Sequence, residues 1–304
     1  MLALIAPGQG AQTPGMLTPW IEDPANKSLL AKWSEAIDLD LLHLGTHADA
    51  DEIKDTANAQ PLIVAAGLLG ARALAATDKY SFVAGHSVGE ITAAALAGVI
   101  SELDAMKLVR ARGIEMAKAA AVTPAGMAAV LGGERENVLR AIADLGLVAA
   151  NDNGAGQIVA AGDLDALAQL APEGARVRAL AVAGAFHTSF MQSAVEPLRA
   201  LAASLEVNDP KCGVISNKDG AIIRDGREVL DRIVAQISNP VRWDLCMNTL
   251  SENVSGALEV PPAGTLVGLL KRAVPIVETF AIKSVADLSL AGEFVVRHNQ
   301  EVKS

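Results

Sequence analysis

The sequence is poor in aromatic residues: Phe, Trp and Tyr together make up 3% of 304 residues, with a single Tyr. Sandwiches and barrels draw on aromatic and β-branched side chains. A chain whose apolar content is mostly Ala, Leu and Val points instead to helices packed closely on a parallel sheet. Cysteine is scarce as well. Cys212 and Cys246 are too few for a disulfide scaffold and do not stand in a metal-ligand spacing; they read as buried thiols in a reducing compartment. Positive charge is in deficit, with 25 Lys and Arg against 35 Asp and Glu and a net charge of −10. That excludes a general nucleic-acid-binding surface and confines any acidic partner to a local basic patch. No uncharged apolar run reaches the roughly 18 residues of a membrane span. The apolar run Leu2–Ala6 lacks a positive flank and is shorter than a signal h-region. A soluble, cytoplasmic protein is expected. What the sequence does have is 51% hydrophobic and 20% charged residues, enough for a sizeable core and incompatible with disorder.

The order of elements follows from periodicity and punctuation. Residues 2–6 read as a buried first strand breaking at Pro7-Gly8-Gln9-Gly10. Residues 27–44 and 58–76 read as helices, the second with Pro61 in its first turn. A strand at 81–84 runs into Gly85-His86-Ser87-Val88-Gly89-Glu90 and then a helix at 91–98; Ser101 and Asp104 form a capping box for a helix through 121. The pattern changes at Thr123-Pro124. Strands at 127–131, 147–150, 157–161 and 176–182 and helices at 134–145 and 164–170 give βαββαβ, a split-βαβ or ferredoxin-like unit that looks complete in itself. Then follow a helix at 189–205, a strand at 213–216, helices at 227–237 and 242–252, a strand at 257–260 and a helix at 264–273. Signals beyond 278 are weak. The expected fold is α/β: a large α/β-hydrolase-like domain with a parallel sheet, formed by residues 1–123 and 185–304, and an inserted ferredoxin-like domain at 124–184.

The sharpest chemical motif is Gly85-His86-Ser87-Val88-Gly89. A G-x-S-x-G between a strand and a helix is a nucleophile elbow, with the hydroxyl lifted clear of the sheet at a helix N-terminus where backbone N–H groups favour a developing oxyanion. A serine nucleophile needs a base. Of the five histidines, His43 and His47 lie in an early segment without a glycine turn and His298 in the weakly patterned tail. His86 is adjacent to Ser87, where neighbouring side chains in a tight turn point apart. His187 remains, in Gly184-Ala185-Phe186-His187-Thr188-Ser189, where the small unit returns to the large one and a cleft is expected. No Asp or Glu between Ser87 and His187 stands out as a triad acid, so a Ser-His dyad fits better. The elbow by itself also permits a hydrolase, and a catalytically silent docking protein is the third alternative.

The chain resembles the malonyl-CoA:acyl-carrier-protein transacylases of fatty-acid and polyketide synthesis over nearly its whole length. The resemblance rests on Pro7-Gly8-Gln9-Gly10-Ala11-Gln12, Gln60-Pro61, Gly85-His86-Ser87-Val88-Gly89-Glu90, Arg112-Gly113 with Met116, Gly156-Gln157 through Gly162, Phe186-His187 with Met191, and Asn239-Pro240-Val241 with Trp243. It implies Ser87 as the nucleophile that carries the acyl ester and His187 as general base and then acid. It implies a backbone carbonyl from Gln236 on the histidine ring and an oxyanion hole from the N–H groups of Gln9 and Val88. Arg112 would pair with the free carboxylate of malonate, and Phe186 and His86 would join it in substrate binding. The implied partners are malonyl-CoA and holo acyl carrier protein, with no cofactor, no metal, no nucleic acid, no membrane and a monomeric state. Arg176, Arg178, Lys271, Arg272 and Lys283 are the basic candidates for carrier docking. One motif departs from the family: Pro261-Pro262-Ala263-Gly264 stands where many members have Gly-Pro-Gly, so this turn is expected to take its own course.

Overall fold

The computed structural model describes residues 1–74 and 79–300. The chain begins β1 (Leu2–Ala6), α1 (Pro24–Ile37), α2 (Leu41–Thr46), α3 (Thr56–Leu74), β2 (Phe82–Gly85), α4 (Gly89–Leu96) and α5 (Glu102–Ala120). Next come β3 (Ala125–Gly132), α6 (Arg135–Asp144), β4 (Val148–Asp152), β5 (Gln157–Asp163), α7 (Leu164–Gln169) and β6 (Ala175–Ala179). After a 3-10 turn at Ser189–Ala194 follow α8 (Val195–Ser204), β7 (Gly213–Ile215), β8 (Ile222–Ile223), α9 (Gly226–Gln236) and β9 (Val241–Arg242). The chain then runs through α10 (Trp243–Asn253), β10 (Gly256–Glu259), α11 (Thr265–Ala273), β11 (Glu278–Ala281) and α12 (Leu288–Gln300).

Two sheets carry the architecture. The larger has the order β11-β10-β1-β2-β7-β8. It is parallel except for β8, which runs antiparallel to β7. β1 and β2 are buried along their whole length, as strands covered on both faces must be. The smaller sheet has the order β6-β3-β5-β4-β9. β5 lies antiparallel between β3 and β4, and β6 is antiparallel to β3. The expectation that this unit is complete in itself needs correction: β9, from beyond residue 184, pairs in parallel with β4 through Asn151–Val241 and Asp152–Arg242. A two-residue strand supplied from elsewhere in the chain leaves no periodic signal.

Helices α4 and α12 lie against the large sheet, and α3 and α5 pack on each other and on α4. Gly113 allows the close approach of α3 and α5, since a Cβ there would lie 3.0 Å from the Thr56 carbonyl oxygen. Pro61 lies inside α3 rather than in its first turn, because the helix begins at Thr56. Proline has no N–H for the carbonyl four residues back, that of Ala57, and Arg110 of α5 supplies the missing donor from Nη1 at 2.8 Å. Residues 75 and 76, expected to end this helix, lie outside the described residues. The helix expected at 27–44 is two helices, because Asp38 caps α1 in the left-handed conformation and Asp40 then caps α2. The weakly patterned tail forms β11 and α12, the latter burying Phe294 and Val295. His298 is buried there, bridging Ser255 and Glu278.

Candidate active site

β1 and β2 pair in register up to Ala6 and Gly85, so the turns that follow them lie side by side. Space between them is minimal. A Cβ on Gly85 would meet the Gly89 carbonyl carbon at 1.9 Å, and one on Gly89 would meet the Ala6 oxygen at 2.3 Å. Only glycine fits at either end of the turn. Ser87, between them, has φ of 54°, a left-handed conformation that costs a non-glycine residue free energy and persists only when its surroundings hold it. Asn217 does so, accepting the Ser87 N–H on Oδ1 at 2.8 Å and donating Nδ2 to the Gly85 carbonyl at 2.7 Å.

The Ser87 hydroxyl lies 2.8 Å from Nε2 of His187. His187 is buried and also left-handed, at φ 62°. Its Nδ1 lies 2.8 Å from the backbone carbonyl of Gln236 at the end of α9. A carbonyl only accepts, so the proton sits on Nδ1 and Nε2 is left to accept from the serine. Burial first, and then the neighbouring Arg112 charge, push the ring down to about 3, against the Gln236 carbonyl. The imidazole is therefore neutral at physiological pH and carries no proton on the nitrogen that faces Ser87. Among the described residues no acidic side chain bonds to it.

Arg112 projects from α5 and is 1% exposed. Nη1 donates to Gln60 Oε1 at 2.7 Å, and Nη2 to Gln236 Oε1 at 3.0 Å and to Ser87 Oγ at 3.4 Å. Its Nε is buried without a partner. Among the described residues no carboxylate forms an ion pair with it. Burial lowers it, opposed by the charge of Glu90, only to about 10, so it stays a cation whose hydrogen-bond partners are two amide oxygens and the serine hydroxyl.

Ser87, His187, Arg112, Phe186, Gln9 and His86 all line one cavity of about 250 Å³ between the two sheets. Met127, Asn151 and Val159 close it from the small sheet. Gln9 donates its side-chain amide to Thr56 Oγ1 at 3.3 Å. Among the described residues neither the Gln9 nor the Val88 backbone N–H has an acceptor. His86 points away from Ser87, as expected. Its Nε2 lies 2.8 Å from Asn153 Oδ1 and its ring stands edge-on to Trp243 at 5.7 Å, tying the elbow to the small sheet. Burial lowers its pKa.

Residues 4–295 match the acyl transferase domain family. The malonyl CoA-acyl carrier protein transacylase of Mycobacterium tuberculosis (strain ATCC 25618 / H37Rv) is 53% identical over 296 residues, covering 95% of this chain and 98% of that protein. The crystal structure of MCAT from Mycobacterium tuberculosis superposes with a TM-score of 0.93 at 52% identity, covering 96% of this chain and 99% of that one. A malonyl-transacylase solved in complex with its holo type II PKS acyl-carrier protein superposes with a TM-score of 0.88 at 30% identity, covering 96% and 99%.

The chain belongs to the malonyl-CoA:acyl-carrier-protein transacylase family.

As a member of that family it is an acyltransferase. No helix among the described residues is long and apolar enough to cross a membrane. The departure from the family at Pro261-Pro262-Ala263-Gly264 has a local account. The buried Glu259 carboxylate accepts the N–H groups of Gly264, Leu266 and Val267 at 2.9–3.0 Å, capping α11 from the preceding strand. Leu266 and Leu269 of that helix line the transacylase cavity, so the altered turn still delivers α11 to the site. Pro261 packs against α3, where a Cβ on Gly70 would meet its ring at 2.4 Å.

Four residues of the site carry no role in the sequence reading. Gln60 and Glu90 stand inside motifs quoted for the resemblance, yet neither is assigned a function there. Asn153 and Asn217 have no motif. The one available signal for Asn217 is its place just past the carboxyl end of a parallel strand, where open α/β sheets gather functional groups.

Proposed function

We propose that this transacylase moves the malonyl group of malonyl-CoA to the phosphopantetheine thiol of an acyl carrier protein through a malonyl ester on Ser87. In the first half-reaction Ser87 Oγ attacks the thioester carbonyl carbon while His187 Nε2 takes the hydroxyl proton. The free N–H groups of Gln9 and Val88 receive the oxyanion. Collapse breaks the C–S bond, and the CoA thiolate leaves with the proton from His187. In the second half the carrier thiol gives its proton to the same nitrogen and attacks the ester; Ser87 leaves and recovers that proton. The Gln236 carbonyl holds the ring throughout without adding a negative charge.

The observation that carries the reading is Arg112, a buried cation 3.4 Å from the nucleophile with no carboxylate partner among the described residues. A guanidinium fork takes a carboxylate through two parallel bonds. An acetyl group would leave the cation unpaired, at a cost of about 3–5 kcal/mol. The malonate carboxylate also offsets the charge that depresses His187, so binding the correct substrate raises the proton affinity of the base. Phe186, buried beside His187 and lining the cavity, occupies the space an α-methyl group needs.

The rest of the reading follows the family. Residues 1–123 and 185–304 form an α/β-hydrolase-like domain, a reading supported by the parallel sheet with its serine past β2. Residues 124–184 form a ferredoxin-like insert, supported by the strand order β6-β3-β5-β4. Carrier docking uses exposed basic residues: Arg176 and Arg178 on β6, Lys271 and Arg272 in the last turn of α11, and Lys283 beside Gly264 at the start of that helix. The enzyme acts as a cytoplasmic monomer, and the carrier-bound relative supports use with polyketide as well as fatty-acid carriers. Arg112→Ala tests the central point. Single-turnover acylation of Ser87 by malonyl-CoA and acetyl-CoA should show the malonyl advantage falling by about 10²–10³-fold. An unchanged ratio contradicts the reading.

A further inference from the structure

Beneath the elbow lies a carboxylate that the reaction does not use. Glu90, in the first turn of α4, is buried, and both of its oxygens are taken by short N–H donors. Oε1 accepts the Asn217 backbone N–H at 2.6 Å and Oε2 accepts Gln236 Nε2 at 2.6 Å. The same Gln236 nitrogen lies 3.0 Å from Asn217 Oδ1 and 3.2 Å from the Ser87 carbonyl. Burial pushes the Glu90 carboxyl up to about 8, opposed by the Asn217 N–H and the charges of Arg112 and Arg232. Two donors on two oxygens are the pattern of a carboxylate; a carboxylic acid would need an acceptor of its own.

This arrangement removes an ambiguity that a side-chain amide ordinarily has. With Nε2 toward Glu90, Gln236 turns Oε1 onto Arg112 Nη2. The opposite rotamer would set Oε1 against three acceptors and aim an N–H₂ at a guanidinium. The orienting force comes from Glu90 in its ionised form, in which both oxygens accept from the Asn217 and Gln236 N–H groups. The backbone carbonyl of Gln236 that holds His187 takes no part in the choice.

We infer that Glu90 is a positioning residue for acyl-group selection: it locks the Gln236 amide with its oxygen on Arg112 and so sets the guanidinium in the orientation that receives a terminal carboxylate. The inference rests on the proposed role of Arg112. It separates selection from nucleophilicity, because Glu90 meets Asn217 only at its backbone N–H, which an amide oxygen at position 90 can still accept, while the Asn217 side chain holds Ser87 and the Gln236 carbonyl holds His187.

The test is Glu90→Gln, compared with wild type and Arg112→Ala in three assays. These are single-turnover acylation by malonyl-CoA, single-turnover acylation by acetyl-CoA, and labelling of Ser87 by an uncharged phosphonate. The introduced amide competes as a donor, turns Gln236 over and faces an N–H₂ toward Arg112. The malonyl-to-acetyl ratio should fall about tenfold or more, the scale of a lost hydrogen bond to a charged group. KM for malonyl-CoA should rise, and phosphonate labelling should stay within about twofold. If Glu90→Gln does not fold, Glu90→Asp, which keeps the carboxyl group but withdraws it from Gln236 Nε2, should lower the malonyl-to-acetyl ratio in the same direction. An unchanged ratio in the folded variant overturns the inference, as does an equal loss in all three assays, which marks a structural role. An unchanged ratio in Arg112→Ala removes the reading of Arg112, and this inference with it.

Discussion

At the scale of single residues, the chemistry turns on what stands next to a charge. Arg112 is met by the amide oxygens of Gln60 and Gln236. An amide fixes the fork without cancelling its charge, which leaves the cation available to a substrate carboxylate. The same charge, added to burial, keeps His187 neutral. The sign of the pH dependence follows. In the proposed mechanism His187 works as a base when unprotonated, and its pKa of about 3 lies well below the ordinary 6.5. Labelling of Ser87 by an uncharged phosphonate should therefore be flat from about pH 7 down to about pH 5. It should fall only as the pH approaches 3. A rate that halves near 6.5 would mean an unperturbed, solvated histidine. Legibility at this scale divides by how each residue acts. Ser87 announces itself through its flanking glycines, and His187 through elimination and its place at the return of the inserted segment. Arg112 in isolation looks like a solvated helix residue, because the helix pattern does not say which turn meets the elbow. Gln236 acts on His187 through its backbone, which no side-chain pattern can encode. Glu90 and Asn217 meet across 127 residues of chain, a proximity created by the parallel order of β2 and β7.

At the scale of elements, the site depends on helices brought close by small residues and on irregularities made good by neighbours. α3 carries Gln60 to Arg112 just before Pro61, and the carbonyl of Ala57 released by that proline is taken by Arg110. Arg110→Met keeps the apolar stem and removes the donor. It should lower stability by about 1 kcal/mol, the cost of a partly buried carbonyl left unpaired. For a chain of 304 residues that is a fall of about 1.5 °C in melting temperature. Calorimetry on the two proteins checks it, and an unchanged melting temperature would show that the Ala57 carbonyl finds water instead. Most elements were legible where apolar period and capping agree, as in α5, which opens at Ser101 with Asp104 in its first turn. The losses have local causes. Asp38 turns the chain left-handed inside an apparently continuous helical pattern. β8 and β9 are two residues each, too short for a period of two to appear. β11 is a half-exposed edge strand with no apolar run.

At the scale of the whole molecule, the active site belongs to neither sheet alone. The large sheet supplies the elbow and the small one closes the cavity over it. β9 pairs with β4, and His86 reaches Asn153, so the two sheets are joined at the rim of the site itself. A net charge of −10 means that an acidic carrier gains nothing from long-range attraction, which is why the proposed docking relies on a local basic cluster. The proposed chemistry stands or falls with the covalent relay through Ser87. Intact-protein mass spectrometry after brief exposure to malonyl-CoA tests it most directly, with wild type and Ser87→Ala each measured with and without holo acyl carrier protein. The expected result is a single malonyl adduct on Ser87 of the wild type, cleared by the carrier thiol far faster than by water, and no adduct on Ser87→Ala. An adduct that persists in Ser87→Ala, or one on the wild type that the carrier does not clear, would contradict it.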